Sequence, residues 1–168
     1  MKRPARARVG PALVLWGLLL IGGCAPLPTK TPTVATPSSW QGRLSVKVDA
    51  QPPQAFSANF ALQGSAEEGA LTLTSVLGTR LAEMHWGADT ATLQTPHELL
   101  RFDSVDAMVR HSVGTPLPLN ALFGWLKGSA GAAPGWAVDL GDRSAGRIRA
   151  WRLAPDAAAE IKIILDPG

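Results

Sequence analysis

The chain has one cysteine, Cys24, and no tyrosine in its 168 residues. A single thiol excludes an intrachain disulfide, so a folded body must be held by packing alone. The apolar run over residues 12–21 has ten residues, half of the about 20 that a helix needs to cross a bilayer core. Motifs of reaction chemistry are missing too: no G-x-S-x-G elbow, H-E-x-x-H pair or G-x-x-x-x-G-K-[ST] loop occurs. His85, His97 and His111 are scattered, and none is expected to share a face with a second histidine or a carboxylate at metal-ligand spacing. Asp103 and Asp106, close to Ser104, suit a helix start. Glu83, the oddity of an otherwise apolar strand, is explained by a solvated face. No residue speaks for an enzyme, and neither metal nor cofactor is expected.

The N-terminal stretch has its own logic. A basic head (Lys2, Arg3, Arg6, Arg8) precedes the apolar run, which ends in Ile21, Gly22, Gly23 and Cys24. That is the three-part layout of a secretory signal, and its end fits the bacterial lipobox. In lipoproteins of this pattern the cysteine receives a diacylglyceryl group and becomes the acylated N-terminus. Residues 1–23 are therefore expected to be removed and Cys24 to carry a covalent lipid. Removal leaves 145 residues, enough for one domain with a substantial core. The formal charge of +3 also changes meaning: without the four basic residues of the head, twelve Lys and Arg face thirteen Asp and Glu. The body is nearly neutral, so the high isoelectric point gives no support for nucleic-acid binding.

Residues 24–39, Pro- and Thr-rich after the cysteine, have little to bury and read as an extended tether, about 20 Å as a coil and up to about 45 Å as polyproline II. Residues 40–168 then form the folded domain. Trp40, Gly42, Leu44, Val46 and Val48 alternate with polar neighbours, and so do Phe56, Ala58, Phe60 and Leu62. Leu71 and Leu73 follow, then strands over 79–86, 90–95 and 99–102. This period of two, with short links, predicts an antiparallel meander with one apolar face. A helix is expected after the N-cap Ser104, closed by Gly114. A second follows Pro118, with Leu119, Leu122, Phe123 and Leu126 in one stripe and Trp125 widening it. Strands return at 136–140, 147–153 and 160–165, with Ile161, Ile163 and Leu165 inward; the arginines of 147–153 leave that strand's facing undetermined. Strand and helix stripes must turn toward each other to leave water, which sets Phe56, Phe60, Leu122, Trp125 and Leu126 together. Whether they close a dry core or line a cavity is not decided by periodicity. Five tryptophans after residue 23 suit either.

From residue 71 the pattern becomes specific. LTLTSVLGTRLAEMHW, a short helix, and then GTPLPLNALFGWLKG resemble the LolB family of outer-membrane lipoprotein receptors. The Gly-x-Pro-Leu-Pro-Leu run before a helix containing Trp-Leu-x-Gly is the clearest mark. The opening Trp40-Gln41-Gly42-Arg43-Leu44-Ser45-Val46 and the Gly135-Trp136-x-Val138-Asp139 segment agree with it. Val76 departs from the proline that often precedes Leu-Gly in the family, and the last strands are short.

The resemblance implies a mainly β fold with a few short helices: an incomplete, strongly curved antiparallel β-barrel with a helical lid over an apolar cavity. It implies a monomeric, non-enzymatic receptor, lipid-anchored on the periplasmic face of the outer membrane. Such a receptor takes acylated lipoproteins from a soluble LolA-type carrier and inserts them among outer-membrane phospholipid. Ala25, in place of an aspartate that favours inner-membrane retention, points the same way. The acyl-chain cavity is then expected to involve Trp40, Leu44, Val46, Phe56, Phe60, Leu71, Leu73, Met84, Trp86, Leu122, Trp125 and Leu126. Leu77 sits in the turn over residues 75–79; the residues alone allow a buried or a projecting leucine, and the resemblance implies one that projects to deliver cargo to the membrane. The rivals are a periplasmic lipid carrier or sensor on the same fold, and a structural lipoprotein of envelope assembly.

Overall fold

Antiparallel pairing runs unbroken through nine strands. The structure is a computed structural model and describes residues 38–152 and 157–167; the signal segment, Cys24, most of the tether and Leu153 lie outside these residues. In chain order come β1 (Ser39–Val48), β2 (Gln54–Gly64), β3 (Gly69–Thr74), β4 (Arg80–Trp86), β5 (Ala91–Gln94) and β6 (Leu99–Phe102). Two helices follow, α1 (Val105–Val113) and α2 (Leu119–Leu126), and then β7 (Trp136–Asp139), β8 (Arg147–Arg152) and β9 (Ala159–Leu165). The order across the sheet is β6-β5-β4-β3-β2-β1-β9-β8-β7, so among the described residues β6 and β7 are free edges and the barrel is incomplete. The expected fold class holds, including the short sixth strand.

β1 lies inside the sheet, between β2 and β9, where its inward residues meet apolar partners on both sides. Leu44 lies opposite Ala58 and Ile163, and Val46 opposite Phe56 and Ile161. Gly42 is required there: its φ is +154°, and a Cβ would stand 2.0 Å from the Ile164 carbonyl oxygen of β9. Most outward positions here are polar, Ile164 being an exception. Glu160 receives Arg149 at 2.6 Å and Lys162 at 3.3 Å. Partial burial pushes the Glu160 carboxyl up, but these two hydrogen-bonded cations outweigh it and hold the group below the usual carboxylate range.

β8 resolves an open facing. Ile148, Ala150 and Arg152 turn inward and Arg147 and Arg149 outward. An arginine is accommodated inside because the link between the helices brings a carbonyl to it: Arg152 Nη1 donates to Pro116 O at 2.9 Å, and Trp136 Nε1 donates to the same oxygen at 3.0 Å.

Both helices form for local reasons. Ser104 Oγ accepts from Ala107 N at 3.2 Å, and Gly114, with φ of 76°, returns its N–H to Arg110 O. α2 starts behind Pro118, which lacks the N–H that a first turn leaves unpaired anyway. Its far end is held by Arg143 from the turn ahead of β8; Nε donates to Leu126 O at 3.1 Å, with Nη2 on the same oxygen. A cation on the last carbonyls also suits the helix dipole.

Candidate functional site

The inward faces of β1–β5 and β9 do not close on the helices. They leave a cavity of about 500 Å³, within the range of small-ligand sites. Of the twelve residues expected there, nine line it: Leu44, Val46, Phe56, Phe60, Leu71, Leu73, Met84, Leu122 and Leu126.

Trp40, Trp86 and Trp125 do not, and each has a packing reason. Trp86 lies opposite Gly69, where a Cβ would stand 2.5 Å from its Cζ2, and its Nε1 donates to Ser65 O at 3.0 Å. Trp40 and Trp86 both meet Phe123 edge-on, with ring centroids 5.6 and 6.4 Å away, so Phe123 is the hub of an aromatic cluster beside the cavity. Trp125 is fully buried against Trp136, centroids 6.1 Å apart. A helix advances about 100° per residue, which turns Trp125 roughly a quarter turn away from the stripe of Leu119, Leu122 and Leu126. That stripe faces the cavity.

The wall also contains residues not assigned to it from sequence. Leu62, Leu119, Ile161 and Ile163 belong to stripes already read as inward, so the signal was present. Leu81 gave none. Leu73 pairs with Ala82 and Thr74 with Arg80, so Leu81 is the extra residue of a β-bulge. The bulge turns its side chain to the cavity beside Ala82, where strict alternation would allow only one of the two.

Chemically the wall is almost uniform. Among its 24 residues only Thr95, Glu98, His111 and Ser112 are polar, and they come from two places, the β5–β6 turn and the end of α1. Ser112 Oγ is already engaged with Met108 O at 2.8 Å. The polar groups therefore mark a rim rather than a reacting centre. On the outer face, Glu83 accepts from Arg80 at 2.7 Å and meets His85 Nε2 at 3.0 Å. This corrects the expectation that no histidine shares a face with a carboxylate: residues two apart on a strand point the same way. Two such groups fall short of a metal site, and among the described residues no cluster of three or more His, Cys, Asp or Glu occurs. No described helix is long and apolar enough to cross a membrane.

The β3–β4 turn is the second feature. Ser75 Oγ accepts from Leu77 N and Thr79 N, both at 3.2 Å, Ser75 N donates to Thr79 O at 2.8 Å, and Gly78 N donates to Ser75 O at 3.0 Å. Gly78 takes φ of +82°, which the tight reversal needs. Held by these four bonds, the turn leaves Val76 70% and Leu77 90% exposed. The β5–β6 turn, and with it the polar rim, lies at the same end of the sheet, because β4 pairs antiparallel with both β3 and β5.

Residues 38–153 match the family described as outer membrane lipoprotein LolB. Similar relatives include the outer-membrane lipoprotein LolB of Shewanella sp. strain MR-4, 31% identical over 129 residues that cover 71% of this chain and 59% of the relative. That of Chromobacterium violaceum is 30% identical over 122 residues, covering 69% of this chain and 66% of the relative. The chain thus spans less than two thirds of the length of these relatives.

Proposed function

The chain belongs to the LolB family of outer-membrane lipoproteins, and from that premise we propose that it is a receptor which accepts acylated lipoproteins from a soluble periplasmic carrier of the LolA type and inserts them into the outer membrane. The observation that carries this reading is the cavity, an apolar wall on six strands and two helices with polar groups only from the β5–β6 turn and the end of α1. Three acyl chains hold roughly 45 methylenes, and at ~0.8 kcal/mol each their exposure to water costs about 35 kcal/mol. A lined cavity removes part of that cost without chemistry, nucleotide or metal, so the protein is read as a non-enzyme. Net movement then requires only that each acceptor hold the chains more favourably than the donor. In this reading the lipid on Cys24 anchors the protein, the tether lets the domain reach both carrier and bilayer, and Leu77 enters the phospholipid interface. A freely diffusing carrier on the same fold is the second reading; the projecting Leu77, which a carrier has no use for, favours the receptor.

Photo-crosslinking at single positions tests the assignment of the cavity. Crosslinkers at Phe60 and Leu122, which line it, are expected to capture the acyl chains of a loaded lipoprotein. Crosslinkers at Asn59, on the outer face, and at Trp125, in the core, are expected to capture none. Equal capture at all four positions would refute the cavity as the acyl site.

A further inference from the structure

We infer that Phe56 and Leu81 form the exit by which an acyl chain passes from the cavity to the bilayer at the Leu77 turn, an inference that rests on the receptor reading above. The described chain has six large apolar residues that are exposed: Phe56, Val76, Leu77, Leu81, Leu99 and Ile164. Of these, only Phe56, 38% exposed, and Leu81, 41% exposed, also line the cavity.

Their placement is specific. Asn59 pairs with Thr74, the last residue of β3, so Phe56 lies three residues farther along β2 in the direction of the turn. Leu81 is the bulge residue at the foot of β4, directly below the turn on its other side. Leu81 therefore lies in the stem of the Leu77 turn itself, and Phe56 lies past the end of β3 on β2, the strand beside that stem, both lining the cavity. The bulge is what produces this arrangement: without the extra residue, Leu81 would point outward with Glu83 and the apolar surface would break between cavity and tip. With it, apolar groups continue from Leu73 and Ala82 inside, through Phe56 and Leu81 at the mouth, to Val76 and Leu77 outside. A chain sliding out along them never loses apolar contact, which lowers the barrier to leaving without weakening the bound state. Phe56 and Leu81 are thus positioning residues for release.

The test uses the chain with Cys24→Ser, loaded with palmitate carrying a terminal fluorophore, and vesicles of phosphatidylethanolamine and phosphatidylglycerol. Affinity for the probe and its rate of transfer into vesicles are read separately. Leu81→Asn and Phe56→Asn, which also remove apolar wall, are expected to bind more weakly and yet to release about tenfold more slowly, the effect of some 1.4 kcal/mol on a barrier. A variant of a residue that served binding alone would release faster as it bound more weakly. Leu81→Met is expected to release at the wild-type rate. Leu99→Asn and Ile164→Asn, which remove residues 54% and 52% exposed that do not line the cavity, are expected to change nothing. If Leu81→Asn and Phe56→Asn release as fast as wild type, or Leu99→Asn slows release equally, the exit is overturned while the cavity stands. If wild type takes up no probe, the receptor reading falls and the exit with it.

Discussion

Leu77→Glu will fold with an unchanged melting temperature, load with cargo, and fail to deliver it to liposomes. The fold is indifferent to this change because the side chain is 90% exposed and the turn is held by Ser75 and Gly78 rather than by the leucine. Loading is indifferent because Leu77 does not line the cavity. In the receptor reading delivery depends on it, because one leucine is worth about 2 kcal/mol on burial: too little to anchor a domain, enough to bias a tethered tip into the headgroup region. A carboxylate there opposes entry into apolar surroundings and is repelled by anionic lipid. Leu77→Ile keeps the apolar surface and is expected to deliver normally. Melting curves, uptake from a loaded carrier and transfer to liposomes separate the outcomes. A glutamate variant that unfolds would make Leu77 a packing residue; one that delivers normally would leave the turn without a role in insertion.

Trp125→Ala will do the opposite, destabilising the domain before it alters any contact with cargo. The ring is fully buried and stacked at a tilt on Trp136, which ties α2 to β7. Truncating a buried tryptophan to alanine costs about 3–5 kcal/mol, which for a domain of this size lowers the melting temperature by roughly 10–20 °C. Trp125→Phe is expected to cost much less. The indole Nε1 has no hydrogen-bond partner among the described residues, and a buried donor without an acceptor is itself a penalty of about 1–3 kcal/mol. Leu122→Ala, on the cavity side of the same helix, is expected to leave the melting temperature within a few degrees of wild type and to act on acyl binding instead. Thermal melts of the three variants decide it: equal losses for Trp125→Ala and Leu122→Ala would place both side chains in one environment.

The strands and helices were legible because each is governed by its own neighbours. Alternation along β1 and β2, Ser104 and Gly114 around α1, and Pro118 ahead of α2 are local signals, and all formed elements at those places. The cavity wall was legible where it follows a stripe, as at Phe56, Phe60 and Leu122. Three tryptophans were misplaced for a physical reason: apolar periodicity reports that a side chain leaves water, not whether it meets protein or empty space. Trp40 and Trp86 went to Phe123, and Trp125 to Trp136, partners set by tertiary packing. The inward turn of Arg152 depends on a carbonyl 36 residues away. Leu81 was beyond reach because a bulge belongs to the pairing of β3 with β4 and to neither strand alone. At Leu77 the residues allowed both readings, and the structure shows the projecting one.

Transfer of cargo tests the central claim most directly. The chain with Cys24→Ser is mixed with a LolA-type carrier loaded with an acylated lipoprotein, the two are separated, and liposomes are then added. The receptor reading predicts that the lipoprotein leaves the carrier, comigrates with this chain, and moves on to the liposomes without added nucleotide. Cargo that stays on the carrier while the carrier remains competent to release it to another acceptor would contradict the claim.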